Sequence, residues 1–285
     1  MFNTDLLLHH LGVFIILLFS ITITILRPRY WFPCLIVAVL AAYLAQTVTL
    51  SAVFSIIGLV LLGLGSQKAK KWAKPFLQVL LIAGCISLAL HLIPGFNNLL
   101  IIDKSEKSPL SMPFSLYLNW DKAMILFLLL SAWPTLITKS SQSSTLKLVR
   151  PYQQFLLGLL LFMFIFLVSI YLELIAFDVN LPIWWWLFAL NNLLITCVVE
   201  EVFFRGFILQ KLHQRLALVP ALFISAILFG LAHFAGGLSY VFVATLAGVL
   251  YGIVYLWTGH IRYSIAVHFL LNMTHLTFFT YPMLR

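Results

Sequence analysis

Long apolar runs recur along the whole of this 285-residue chain, and they limit its fold more than any other feature. Each run has about 17 to 25 residues, enough for an α-helix that rises 1.5 Å per residue to cross a hydrocarbon core of about 30 Å. Charged residues make up only 9% of the chain, against about 25% in a soluble domain. The sequence therefore predicts an all-α fold, a polytopic transmembrane helix bundle of about nine or ten spans.

Basic residues lie mainly in the short turns between these runs, which indicates how the bundle is oriented. The formal net charge is +9, and by the positive-inside rule such turns face the cytoplasm. The lipid bilayer, rather than nucleic acid, is therefore the expected partner of this charge. The short turns and the lack of a targeting extension favour a prokaryotic plasma membrane. The first run has no basic residue before it and no cleavage site after it, so it is expected to be a span.

Two features bear on how the chain is organised. Residues 31–65 are barely long enough for two crossings, so they form either a tight hairpin, which gives ten spans, or one broken span, which gives nine. Residues 1–150 carry almost no ionisable group at membrane depth and are expected to be an N-terminal bundle of unknown role. Residues 183–285 carry many, residues 151–285 are the candidate core, and Ser140 to Ser144 is the only linker-like run.

The stretch "VVEEVFFRGF" places three charges in a helix expected over residues 182–214. Glu200 precedes Lys211 by eleven residues, so it lies about 16 Å below the basic rim. Glu201 and Arg205 are spaced i, i+4 with the acid first, which is the favourable order for a helical ion pair. Glu200 points about 100° away from that pair. Because an ionisable group in a bilayer costs at least about 2.5 to 3.5 kcal/mol, Glu200 is a candidate functional residue.

Two later spans carry polar residues at a similar depth. In "FGLAHF", His233 lies roughly 20 Å along a span counted from the proline at its start. In "HFLLNMTH", His268 and Asn272 share one helical face and lie roughly 9 and 15 Å along the last span. These three residues and Glu200 are therefore expected to occupy one layer that is open toward the cytoplasm.

This set of side chains suits the hydrolysis of an amide bond with water as the direct nucleophile. Glu200 can act as the general base, and His233 can hold the water and return the proton. His268 and the Asn272 amide can donate hydrogen bonds to the developing oxyanion. The favoured mechanism needs no cofactor, because Glu200 cannot easily be both the sole base and a metal ligand. Zinc stays possible, with Glu200, His233 and His268 as its ligands.

Other interpretations of the same residues remain open. The sequence has no GxSxG, no HExxH and no pair of intramembrane aspartates, so the usual patterns of other hydrolases are missing. Buried polar groups can simply tie helices together at roughly 0.6 to 2 kcal/mol each, and Glu201 and Arg205 are assigned a supporting role of this kind. The alternative function is a non-catalytic membrane transporter or immunity protein that binds a ligand or proton at the same cluster.

Three motifs on the C-terminal spans resemble those of the CPBP family, the CAAX-protease and bacteriocin-processing group of intramembrane endopeptidases. They are EExxxR, FxxxH and HxxxN, present here as Glu200-Glu201 to Arg205, Phe229 to His233, and His268 to Asn272. The resemblance covers about residues 183–285. It implies a C-terminal catalytic core in which Glu200 and His233 activate the water while His268 and Asn272 stabilise the tetrahedral intermediate.

The resemblance also bears on the mechanism and the substrate. Members of the family were long described as metalloproteases and are now often regarded as glutamate-dependent, which agrees with the favoured metal-free mechanism. They cleave prenylated CAAX proteins in eukaryotes and peptides or membrane-anchored precursors in bacteria. The expected partner is therefore a peptide or membrane-anchored protein substrate.

Overall fold

The structure is a computed structural model that describes residues 4–138 and 150–285. The predicted linker at Ser140 to Ser144 lies outside these residues. Within them the chain forms ten helices, which we number α1 Thr4–Leu26, α2 Trp31–Leu44, α3 Leu50–Lys68, α4 Ala73–Ala89, α5 Trp120–Ala132, α6 Pro151–Tyr171, α7 Trp185–His213, α8 Leu218–Leu231, α9 Leu238–Thr258 and α10 Ile261–Phe278. Short 3₁₀ turns lie at Pro28–Tyr30 and Phe234–Gly236.

The helical class predicted from the apolar runs is confirmed. By length and composition, α3, α6, α7 and α9 can each cross a membrane. Four shorter apolar helices lie at residues 10–26, 28–44, 73–89 and 218–231. Residues 31–65 fall in two helices, α2 and α3, so the hairpin alternative describes this stretch. The total of nine or ten crossings stays a prediction, because length and composition alone identify these spans.

The segment between α4 and α5 contains the only strands in the described part of the chain. β1, Leu99–Ser105, and β2, Phe114–Leu118, form a two-stranded sheet. The sequence predicts this segment only as a long external connection, so the sheet is an addition to the expected fold. Its β-branched pair, Ile101 and Ile102, is fully buried, which gives the strand an apolar anchor.

The chain divides into two compact units. The first unit comprises Met1–Asp103, Ser115–Ile137 and Leu194–Val199, and the second comprises Lys104–Phe114, Thr138–Leu193 and Glu200–Arg285. The long helix α7 contributes to both. The functional division predicted at residue 150 stays a prediction.

The core of the first unit is α5, which contacts α2, α3 and α4 and has nearly all of its residues buried. Its charged residues are confined to the first turn, where Asp121 is 1% exposed. The Asp121 carboxylate pairs with Nδ1 of His91 at 2.6 Å and accepts a hydrogen bond from Asn98 at 2.9 Å. These contacts tie the start of α5 to the end of α4 and the following loop, which agrees with a structural role for His91.

In the second unit, α9 contacts α6, α8 and α10. Two glycines let α8 and α9 approach closely. A Cβ added at Gly230 would lie 2.0 Å from Oγ1 of Thr245, and one at Gly248 would lie 3.0 Å from the backbone of Ala226. Small residues at helix contacts are the usual way for membrane helices to pack backbone against backbone. This hairpin sets where the turn after α8 lies.

A buried lysine closes one end of the second unit. Nζ of Lys107 donates hydrogen bonds to the carbonyl oxygens of Asp178 and Phe279, the latter at 2.6 Å, and lies 3.8 Å from the Asp178 carboxylate. Burial lowers the pKa of Lys107, and the Asp178 carboxylate offsets part of that effect. Lys107 thus satisfies a carbonyl just beyond the C-terminal end of α10.

Candidate active site

Helix α7 carries the two glutamates, and its winding changes on either side of them. Residues Asn192–Cys197 and Val202–Leu209 are π-helical, and Val198–Glu201 between them is α-helical. The helix expected over residues 182–214 is therefore confirmed to within a few residues, but its π-helical turns are not predicted by any signal in the sequence. Such turns are rare and frequently occur at functional sites.

Glu201 is the centre of a fully buried hydrogen-bond network. Its Oε1 accepts from Nη1 of Arg205 at 2.8 Å and lies 2.8 Å from Nδ1 of His268. Its Oε2 accepts from Oγ of Ser264 at 2.6 Å. The predicted ion pair between Glu201 and Arg205 is thus present, and the carboxylate does more than neutralise the arginine because it also holds an imidazole.

The Arg205 guanidinium contacts several aromatic rings. Its guanidinium carbon is 4.5 Å from the ring centre of Phe229 and 5.1 Å from that of Tyr251. Its Nη2 donates to the carbonyl oxygen of Gly248 at 2.9 Å. The buried charge is therefore paired, hydrogen-bonded and covered by π faces, which are the conditions under which an interior arginine is tolerated.

His268 lies between two carboxylates. Because the Glu201 carboxylate only accepts hydrogen bonds, Nδ1 of His268 carries the proton in that contact. Nε2, on the opposite side of the ring, lies 3.9 Å from Oε2 of Glu200. The ring also stacks on Tyr251 with centroids 4.4 Å apart. The orientation of His268 is therefore fixed, with Nε2 directed toward Glu200.

His233 lies just past the end of a helix and not within one, so the prediction of a helical position is wrong, whereas its depth stays a prediction. Helix α8 has only 14 residues, about 21 Å of helix, and His233 follows its end in a turn that closes at Gly237, where φ is +86°. Nδ1 of His233 lies 2.9 Å from the carbonyl oxygen of Phe229. A carbonyl can only accept, so this nitrogen carries the proton and Nε2 has the lone pair.

Asn272 is held by a second amide. Its Nδ2 donates to Oδ1 of Asn192 at 3.1 Å. The side-chain nitrogen of asparagine carries two hydrogens, so this contact uses one of them. Asn192 lies about two turns before Glu200 on α7, so the contact joins α7 to α10.

A small cavity in the second unit adjoins these groups. Its volume is about 70 Å³, enough for a few water molecules. Its lining includes His233, His268 and Asn272 together with Phe229, Tyr240 and Tyr251. The structure thus brings three of the four predicted residues to one cavity and places the fourth, Glu200, within 3.9 Å of His268. That these four residues are catalytic stays a prediction.

Three polar residues near this cavity are not predicted as site residues from the sequence. Ser264 lies four residues before His268 on α10, so helical spacing could have placed it on the same face. Tyr240 and Tyr251 carry no such signal, because they lie in apolar stretches in which a tyrosine is expected to act as a packing residue. Their positions depend on how α9 packs against α8 and α10.

The described residues contain no ready-made metal site. Within residues 4–138 and 150–285, no group of three or more His, Cys, Asp or Glu side chains is arranged to hold a metal ion. Zinc held by Glu200, His233 and His268 stays an untested alternative. Freedom from a metal cofactor stays a prediction.

The described part of the chain is thus an apolar helical fold in which His233, His268 and Asn272 line a small cavity and Glu200 lies 3.9 Å from His268. Residues 182–274 match the family model described as Rce1-like, type II CAAX prenyl endopeptidase. The matched range contains all three motifs, so the resemblance to the CAAX protease family is confirmed for this part of the chain, and the match implies a protease. Neither the curated proteins nor the solved structures contain a match to the chain.

Proposed function

We propose that this protein is an intramembrane endopeptidase that hydrolyses a peptide bond of a membrane-associated protein substrate. One observation carries the proposal. The Glu200 carboxylate lies 3.9 Å from Nε2 of His268, whose other ring nitrogen is held by Glu201, beside a cavity of about 70 Å³ lined by His233 and Asn272.

In the first step, a water molecule in the cavity attacks the carbonyl carbon of the scissile bond. Glu200 takes a proton from this water as the general base. His233 accepts a hydrogen bond from the same water through Nε2, which has the lone pair because Nδ1 is bonded to the Phe229 carbonyl. The carbonyl π electrons move to oxygen, and a tetrahedral intermediate with a negative oxygen forms.

In the second step, the intermediate collapses and the C–N bond breaks. Asn272 donates a hydrogen bond to the oxyanion, and His268 can do so through Nε2 when its ring is an imidazolium. The proton held by Glu200 passes to the leaving amine nitrogen, which returns the base to its starting state.

The substrate proposal combines the family match with the buried position of the site. The matched family is described as type II CAAX prenyl endopeptidase, and a substrate anchored in the bilayer would present its peptide bond to a membrane-embedded site. We therefore propose a peptide or protein held at the membrane by a lipid or an apolar segment, cleaved from the cytoplasmic side.

The test is cleavage of a fluorescent farnesylated CAAX peptide, and of its unprenylated form, by the purified protein in liposomes. Glu200→Gln and His233→Ala should each lower turnover about 10²- to 10⁴-fold, because each removes a group that handles the proton. Matched controls are Glu173→Gln, which changes an exposed glutamate, and His213→Ala, which lies at the end of α7. Full activity in both test variants, at equal folded yield, would overturn the proposal.

Metal dependence is measured separately on the same protein. We expect incubation with a strong zinc chelator, followed by removal of the chelator, to leave turnover unchanged. Loss of activity that zinc alone restores, with one zinc bound per chain, would replace the glutamate mechanism by a metal mechanism.

A further inference from the structure

We infer that Tyr240 is a further catalytic residue, whose phenol hydroxyl donates a hydrogen bond to the oxyanion of the tetrahedral intermediate. The inference rests on the proposed peptidase function and adds a residue to its mechanism. Tyr240 lies outside the three sequence motifs that mark the site.

The first argument is position. Tyr240 lies in the first turn of α9 and lines the same cavity as His233, His268 and Asn272. Its ring centroid is 5.9 Å from that of His233. The Tyr240 side chain therefore lines the same cavity as the proposed water-holding histidine and the proposed oxyanion donors.

The second argument is how the ring is held. A Cβ added at Gly236 would lie 2.7 Å from Cγ and Cδ1 of Tyr240. The tyrosine ring thus rests directly against the glycine backbone of the turn that follows His233. A larger residue at position 236 would displace the ring, so the turn that presents the histidine also fixes the direction of the phenol.

The third argument is chemical need. One Asn272 hydrogen is already donated to Asn192, and His268 can donate from Nε2 only as an imidazolium. A tyrosine hydroxyl, with an ordinary pKa of about 10, carries its proton at neutral pH. Tyr240 therefore supplies a donor whose availability does not depend on the protonation of the histidine.

The role fits the electron and proton balance of the reaction. When the water oxygen bonds to the carbonyl carbon, the carbonyl oxygen gains the electron pair and becomes the acceptor of the phenol hydrogen bond. Tyr240 keeps its proton throughout, and collapse of the intermediate re-forms the C=O bond and weakens that contact. Preorganised neutral donors of this kind act mainly on the transition state, so their loss lowers kcat more than it raises KM.

The experiment compares Tyr240→Phe with the wild-type protein in liposomes, using the same fluorescent peptide. We expect kcat to fall about 10- to 10³-fold, with KM and thermal stability nearly unchanged. Tyr263→Phe, which removes a hydroxyl from a tyrosine 45% exposed on α10, is the matched control and should leave kcat unchanged. An unchanged kcat for Tyr240→Phe, or a change in KM alone, would overturn the inference.

A second variant separates catalysis from packing. Gly236→Ala keeps the hydroxyl and moves the ring, so it should also lower kcat. If both changes act through the same hydrogen bond, Gly236→Ala combined with Tyr240→Phe should be no slower than Tyr240→Phe alone. Fully multiplicative losses would show that the ring serves packing, and the inference would fail.

Glu200→Gln is measured beside these variants so that the two proposals can be told apart. If Glu200→Gln is inactive and Tyr240→Phe matches the wild type, only the inference about Tyr240 is wrong. If the wild-type protein cleaves no peptide, or Glu200→Gln cleaves as fast as the wild type, the peptidase proposal fails and the role of Tyr240 fails with it.

Discussion

Each of the two units contains a carboxylate paired with an imidazole, and the two pairs are nearly equal in length. Asp121 and His91 are 2.6 Å apart in the first unit, and Glu201 and His268 are 2.8 Å apart in the second. Their exposure differs sharply. The His91 side chain is 50% exposed, whereas that of His268 is 4% exposed.

The surroundings of the two pairs also differ. Asp121 accepts further hydrogen bonds from Asn98 and from the backbone N–H of Lys122, which are contacts that fasten a loop to a helix. Glu201 accepts from a buried arginine and a buried serine, and the far nitrogen of its histidine is directed toward a second carboxylate. A carboxylate–imidazole pair is therefore no evidence of a site by itself. The groups near the far nitrogen of the imidazole determine whether the pair can take part in catalysis.

The largest expected effect comes from removing each carboxylate in turn. Glu201→Gln should lower turnover about 10²-fold or more, because an amide cannot accept from Arg205, His268 and Ser264 together. Asp121→Asn makes the same chemical change in the first unit and should leave turnover unchanged. Peptide cleavage in liposomes measures both variants. Equal losses would break the contrast between the two pairs.

The next effect concerns the arginine that accompanies Glu201. Arg205→Met should lower the free energy of unfolding by about 3 to 5 kcal/mol, because it leaves a buried carboxylate without its cation. The control is Arg285→Met, since Arg285 pairs with Glu106 while 54% exposed and should contribute only about 0 to 1 kcal/mol. Denaturant unfolding in detergent compares the two. A loss near 1 kcal/mol for Arg205→Met would show that the network is far looser than its hydrogen bonds indicate.

The smallest expected effect concerns the close contact between α8 and α9 at Gly230, three residues before His233. Gly230→Ala should cost about 1 to 3 kcal/mol, because the new methyl group would lie 2.0 Å from Thr245 Oγ1 and 2.7 Å from the Val241 carbonyl. Gly84→Ala in the first unit is the counterpart. Its methyl group meets only the end of the Leu59 side chain, which can move, so the cost should stay below about 1 kcal/mol. Thermal unfolding measures the loss of stability in both variants. An equal loss at the two positions would contradict the close packing of α8 and α9.

Much of the second unit could be predicted from sequence because local spacing determines it. The i, i+4 order of Glu201 and Arg205 predicts their ion pair, which the structure contains. The four-residue spacing of His268 and Asn272 predicts a shared helical face, and both line one cavity. Nε2 of His268 lies 3.9 Å from Oε2 of Glu200, as the expectation of one shared layer requires for this pair.

The features that were missed depend on packing between distant segments. His233 lies in a turn because α8 is short, and nothing in "FGLAHF" marks the end of the helix before the two glycines that follow. The position of Tyr240 depends on the close approach of its ring to Gly236. The β1–β2 sheet depends on pairing within a segment whose apolar residues also suit a loop. In each case the deciding contact lies between segments that a local pattern does not connect.

The two π-helical turns of α7 have a consequence for comparing this protein with its relatives. In such a turn each N–H bonds to the carbonyl five residues earlier instead of four, so the helix accommodates one extra residue per turn. Deleting one residue from either turn would restore regular α-helical winding, and the side chains beyond the turn would stay close to their present faces. Alignments across this helix therefore need room for a one-residue gap on either side of the paired acids, because a relative with a regular α-helix there could present the same side chains with one residue fewer.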